Sequence, residues 1–127
     1  MLTLNDFKKA SNISTVFSKL FEARDFAHYA HLRTKSYASH KALNGFYDDF
    51  LELTDQLIET YQGQYGIQKF AIQSVVESDV VEYFEDLGKF LTESHKAVEE
   101  KDTHLHNIID ELTALAYQTL YKLKFLK

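Results

Sequence analysis

Proline is absent from this chain, and glycine occurs only at positions 45, 63, 66 and 88. No residue locks a turn through a fixed φ, and few positions favour one through left-handed freedom. The long intervals between glycines carry apolar residues three and four apart, the period of a helix buried along one side. An all-α chain follows. At 127 residues it is one domain, long enough to close a hydrophobic core without covalent staples.

Four helices can be set out from this pattern. The first is expected over about 13–34, capped by Asn12 or Ser14, with Val16, Leu20, Ala23, Ala27 and Ala30 on its buried face. The second, over about 36–62, carries the stripe Leu43, Phe46, Phe50, Leu53, Leu57 and Tyr61 and ends at Gly63 and Gly66. The third, over about 78–99, is expected to begin at Ser78 with Asp79 and Glu82 in its first turn, where negative charge suits the helix dipole. The fourth, over about 102–125, ends among Lys122, Lys124 and Lys127, the right sign for a C-terminus.

Loop lengths choose the topology. Short links make antiparallel hairpins of the first and second helices and of the third and fourth. The 63–78 segment is longer, and sixteen extended residues reach roughly 50 Å. A helix of about 22 residues is only roughly 33 Å long. The segment can therefore travel the whole bundle, giving a four-helix bundle with a crossover between its second and third helices. An up-down bundle with a loose loop is the alternative. Ile67, Phe70, Ile72, Val75 and Val76 give the segment apolar groups with which to pack.

Composition narrows the chemistry. The chain has no cysteine, which excludes disulfides, thiolate catalysis and Cys-based zinc sites. A metal would be held by histidine nitrogen and carboxylate oxygen, a donor set for iron, manganese or zinc rather than copper(I). No charged-then-apolar leader precedes Asn5 and no apolar run reaches membrane length, so a cytoplasmic protein without membrane association is expected. The net charge of −5 argues against general nucleic-acid binding. Positions 77–102 hold nine acids against three lysines, near −6, which leaves the remainder near +1.

The second helix holds the most informative stripe. His40, Asn44, Leu51, Asp55 and Glu59 are separated by 4, 7, 4 and 4 positions and project from one side. Asp55 and Glu59 lie about 6 Å apart along the axis, so their carboxylates could converge on one cation or on two neighbouring ones. A solvated acidic face is the simpler account of that pair alone. In the first helix, His28 and His31 share a face at i, i+3; taken alone, they read as interface or core imidazoles.

Together these residues resemble the Dps group of DNA-protecting miniferritins. That family carries a histidine late in its first helix, a second 12 positions later, an aspartate 15 beyond and a glutamate 4 further on. Here His28, His40, Asp55 and Glu59 stand at spacings of 12, 15 and 4. The resemblance covers about residues 14–125, with the first two helices its specific part; the Gly63–Gly66 stretch and KDTHLHNIIDEL (101–112) add to it more weakly. HLRTKSYASHKAL (31–43) is similar to phage-encoded Dps-like proteins, and that comparison makes His31 an equal candidate.

The resemblance implies a ferritin-like fold. It further implies a ferroxidase site assembled across a dimer interface, with Asp55 and Glu59 from one chain and His28 or His31 from its partner. His40 would complete that site or hold an adjacent water. Iron is the implied metal, with zinc or manganese in its place as alternatives. The implied partner is a second copy of the chain, in a dimer at least and in a cage of twelve as the family expectation.

This chain departs from the family pattern at several positions. Tyr29 stands where a tryptophan is usual, Asn44 where an aspartate is frequent, and the turn glycine between the first two helices is missing. Only Lys8 and Lys9 precede the bundle in place of a lysine-rich tail, so DNA binding is expected to be weak.

Other candidates carry less. His104, His106 and Asp110 could bind a metal at the turn between the third and fourth helices, but capping and surface groups at a helix start are the simpler reading, and His95 with Glu99 reads as an ordinary surface i, i+4 pair. No glutamate has a histidine three residues on, which argues against a di-iron site inside one subunit. The expected function is metal binding with oxidation of Fe(II). A non-catalytic structural or interaction protein on the same fold is the alternative.

Overall fold

The computed structural model describes residues 10–127. Lys8 and Lys9 lie outside the described residues. Among the described residues four helices follow one another, α1 (Ile13–Arg33), α2 (Tyr37–Tyr65), α3 (Val80–Glu93) and α4 (Thr103–Phe125), with a 3-10 turn at Ser94–Ala97. There is no strand among the described residues.

Local chemistry sets the starts. Asn12 caps α1, its Oδ1 accepting from the amides of Ser14 at 2.9 Å and Thr15 at 3.3 Å. Ser36 caps α2 through the Ser39 amide, and Asp79 caps α3 through the Glu82 amide. Asp79 thus sits before α3 rather than in its first turn. The fourth start differs, because the Asp102 side chain makes no cap bond and α4 opens at Thr103.

The ends differ more from the pattern of the sequence. Gly63 does not stop α2, which runs to Tyr65 and closes on Gly66 at φ 93°, a conformation that glycine takes without strain. α3 ends at Glu93, short of the expected 99, and tightens into the 3-10 turn. There the buried Ser94 hydroxyl donates back to the Phe90 carbonyl at 2.8 Å. Such a back-bond competes with the regular ladder.

The core lies between the apolar stripes. α1 packs on α2, α2 on α4, and α3 on α4. Phe46 stacks on Phe50 and meets Phe84 edge-on at 4.8 Å, and Leu20, Leu43, Leu57, Leu87, Leu105, Ile109 and Leu112 are fully buried in the same core. α1 and α3 meet where Tyr83 stacks on Phe26 at 3.7 Å. The Tyr83 hydroxyl donates to the buried carboxylate of Glu22 at 2.6 Å, and Lys19 pairs with the same oxygen at 2.9 Å. Burial, followed by the Glu22 charge, holds the Tyr83 phenol well above its ordinary pKa.

The 66–79 link has no regular structure. The Phe70 ring lies edge-on to Phe17 and Phe21, and the Ala71 carbonyl accepts from Ser18 Oγ at 2.7 Å. Further along, Val75, Glu77 and Ser78 line a groove with Phe26, Tyr29, Ala30, Arg33 and Thr34. The link therefore touches α1 first in its N-terminal half and then at its C-terminal end.

Candidate functional site

Histidines gather at the short 34–36 turn. His31 is buried and His40 half-buried, with ring centroids stacked at 3.7 Å. His31 Nδ1 lies 2.8 Å from the His40 carbonyl, and His40 Nδ1 lies 2.9 Å from the His31 carbonyl. A carbonyl only accepts, so both Nδ1 atoms carry a proton, and in the neutral rings both Nε2 atoms keep a lone pair. That tautomer ties the end of α1 to the start of α2 and is also the one in which Nε2 can ligate a metal.

His28 stands one turn back on α1. Its ring stacks on Tyr47 at 4.5 Å and lies 6.2 Å from His31, and the Tyr47 hydroxyl donates to Asn44 Oδ1 at 2.9 Å. The structure thus brings His28, His31 and His40 together with Tyr47.

It does not bring Asp55 or Glu59 to them. Both carboxylates are exposed on α2, and Asp55 lies roughly 22 Å along the helix from His40. Among the described residues, no three His, Asp or Glu side chains of one chain are gathered to hold a metal ion.

Between the histidines and the acids, the outer face of α1 and α2 has an apolar dimple. Leu20, Phe21, Arg24, Asp25, Leu51 and Thr54 line it, and Phe21 and Leu51 are exposed at its rim. Among the described residues, no hydrogen-bond partner reaches the buried Arg24 Nε or Thr54 Oγ1. The dimple sits between unlike groups. Along the axis, His28 lies roughly 8 Å from its middle on one side, and Asp55 and Glu59 lie roughly 4 and 10 Å away on the other. The carboxylate pair and the histidine are therefore nearly equidistant from the dimple, on opposite sides.

Two groupings lie at the other end of the bundle; the sequence offered His106 and Asp110 of the second as possible ligands, but neither the Tyr65–Asp102 contact nor the place of His95. The carboxylate of Asp102 accepts from the Tyr65 hydroxyl and from Gln64 Nε2 at 2.9 Å, which pins the end of α2 to the start of α4. The Tyr65 bond is the main cause that lowers the Asp102 pKa, and the same bond pushes the Tyr65 phenol up to about 12. His104 turns to the Gln64 side chain. The second grouping joins His95 to His106 and Asp110 rather than to the Glu99 carboxylate. The turn between α3 and α4 brings His95 to His106 and Asp110, and no regular spacing in the sequence announces that meeting.

A model described as "Family of unknown function (DUF5856)" matches residues 31–123, a span that includes His31, His40, Asp55 and Glu59 and begins after His28. A protein of Enterobacteria phage T4, described as "Uncharacterized 14.6 kDa protein in mobD-ri intergenic region", is 29% identical over 119 residues, covering 91% of this chain and 90% of that protein. No solved structure matches the chain. No helix among the described residues is long and apolar enough to cross a membrane. With most of its length matched by one family model, from the paired histidines of the α1–α2 turn to the last turns of α4, the chain belongs to the DUF5856 family.

Proposed function

We propose that this protein is a Dps-like metal-binding protein that takes up Fe(II) at sites built between two copies of the chain and oxidises it there. The reading includes a ferritin-like topology in which the 66–79 link is the crossover. Its support is the link's path along α1, from Phe17 and Ser18 to Arg33 and Thr34. The relative in a phage accords with the similarity of residues 31–43 to phage-encoded Dps-like proteins.

The observation that carries the site is the placement of unlike ligands about the dimple. A two-fold axis through its middle would exchange the two sides, setting His28 of one copy against Asp55 and Glu59 of the other. Phe21 and Leu51 would be covered by the same contact, and Arg24 and Thr54 would gain a surface that can offer partners. Two carboxylates and one imidazole make an open donor set suited to ferrous iron. Close acids also repel when empty, which a cation relieves. His40 and His31 hold the turn beside His28, with their Nε2 lone pairs available to the ion or to its water.

Fe(II) added without oxygen, or Zn(II) in its place, should raise the melting temperature of the wild-type protein through the linkage between binding and folding. Asp55→Asn with Glu59→Gln keeps side-chain volume and removes charge, so it should remove this site's share of the shift while leaving the fold intact. His28→Ala should lose the same share, and admitting oxygen or peroxide should then yield ferric product faster with wild type than with either variant. An acid double variant that keeps the full metal-induced shift and the oxidation would overturn the reading.

A further inference from the structure

The second histidine grouping has a geometry of its own. His95, in the 3-10 turn, and His106, in the first turns of α4, lie with ring planes 5° apart and centroids at 4.9 Å. Their Nδ1 atoms face each other at 2.6 Å. Each ring is engaged on its far side as well. His95 Nε2 lies 2.9 Å from Asp110 Oδ1, and His106 Nε2 lies 3.0 Å from the Glu99 carbonyl oxygen.

Hydrogen-bond accounting fixes the protons. An ionised carboxylate and a backbone carbonyl can only accept, so both Nε2 atoms must donate. Two neutral imidazoles protonated at Nε2 then point two Nδ1 lone pairs at one spot. Lone pairs facing at that distance repel unless a cation lies between them. A proton is one such cation, and a divalent metal is the other.

From this we infer a divalent transition-metal site within a single chain, of zinc-like preference, whose protein ligands are His95 Nδ1 and His106 Nδ1. The outer contacts are those that metal-bound imidazoles use: a carboxylate behind one ring and a backbone carbonyl behind the other, each fixing the tautomer and raising ligand basicity. Zinc–nitrogen bonds of about 2.0–2.1 Å in a tetrahedral site require the two nitrogens to stand roughly 3.3 Å apart. The rings would part by less than 1 Å, within reach of small side-chain rotations. Two protein ligands leave the remaining positions to water, and the His95 side chain, 29% exposed, lets an ion approach from solvent.

The frame behind the ligands is held in place. Buried Ser94 bonds back to Phe90 beneath His95, and the Tyr65–Asp102 contact anchors the start of α4 below His106. The site is independent of the intersubunit one, lying on different helices and needing no second copy.

The test uses the full chain without an affinity tag, carrying Asp55→Asn and Glu59→Gln so that the proposed intersubunit site is silent. Calorimetric titration with Zn(II) should give one equivalent per chain. His95→Gln and His106→Gln, made separately and checked for fold by circular dichroism, should each abolish it. Asp110→Asn should retain the site with affinity lowered about 10–100-fold, as losses of outer-shell partners do. Co(II) in place of zinc should broaden the ring-proton NMR signals of His95 and His106 ahead of those of His104. Absence of Zn(II) binding would mean that the pair shares only a proton, and that overturns the inference. So would a zinc equivalent that survives either histidine substitution.

Discussion

Asp102 occupies the cap position of α4, but its carboxylate is committed to Tyr65 and Gln64 of α2. One residue thus exchanges a local cap for a tie between two helices. The tie has a signed pH dependence. The folded phenol of Tyr65 titrates near 12 against an ordinary 10.0, so its stabilising contribution is complete below pH 10 and is lost as pH rises toward 12. The Asp102 carboxyl is shifted down, so its contribution is present above the ordinary carboxylate range and is lost as pH falls through the lowered folded value. Denaturant melts from pH 9 to 12 should show a fall in stability that Tyr65→Phe diminishes, and absorbance titration should reveal two tyrosines ionising late, Tyr83 and Tyr65, of which Tyr65→Phe removes one. Identical alkaline slopes for the two proteins would rule the tie out.

Among the helices, the contact of α3 with α4 depends on one missing side chain. Gly88 is buried in α3, and a Cβ built there would come within 2.5 Å of the Tyr117 ring. Alanine at an unencumbered helix interior gains about 1 kcal/mol over glycine. Gly88→Ala alone should forfeit that gain or reverse it by displacing the ring. In a Tyr117→Ala background the same change should stabilise by about 1 kcal/mol. Urea unfolding of the four proteins decides it, and an equal gain in both backgrounds would show that the ring does not crowd Gly88.

The helices themselves were largely legible because their signals are local. Asn12, Ser36 and Asp79 cap where the apolar period begins, and Gly66 closes α2 where the period stops. The early end of α3 was not legible, since nothing in ESHKAV breaks the pattern. What ends the helix there is the buried Ser94 bonding to Phe90, and only packing reveals it. The candidate site divides in the same way. The 4-residue spacing of Asp55 and Glu59 placed them together on one exposed face. The reciprocal bonds of His31 and His40, and the meeting of His95 with His106, depend on how two turns fold back. Sequence spacing holds no record of that.

For the whole molecule, charge and symmetry are the properties that matter. The net charge is −5, and nine acids crowd positions 77–102. Duplex DNA should therefore bind weakly and release at physiological salt, because affinity for phosphates falls steeply as counterions are added. A gel shift that persists at about 150 mM salt would contradict this. The acidic stretch would instead favour the approach of cations.

The intersubunit site makes a prediction that no single-chain site can share. Take two variants in a His106→Gln background, one carrying His28→Ala and the other Asp55→Asn with Glu59→Gln; each alone should bind no Fe(II) at the site. Unfolded together in equal amounts and refolded, they form mixed pairs in which the intact histidine of one copy meets the intact acids of the other. Anaerobic Fe(II) titration of the mixture should recover about a quarter of the wild-type sites, the share that random pairing in a two-fold dimer gives. A mixture that binds no more Fe(II) than its two components measured apart would contradict the account.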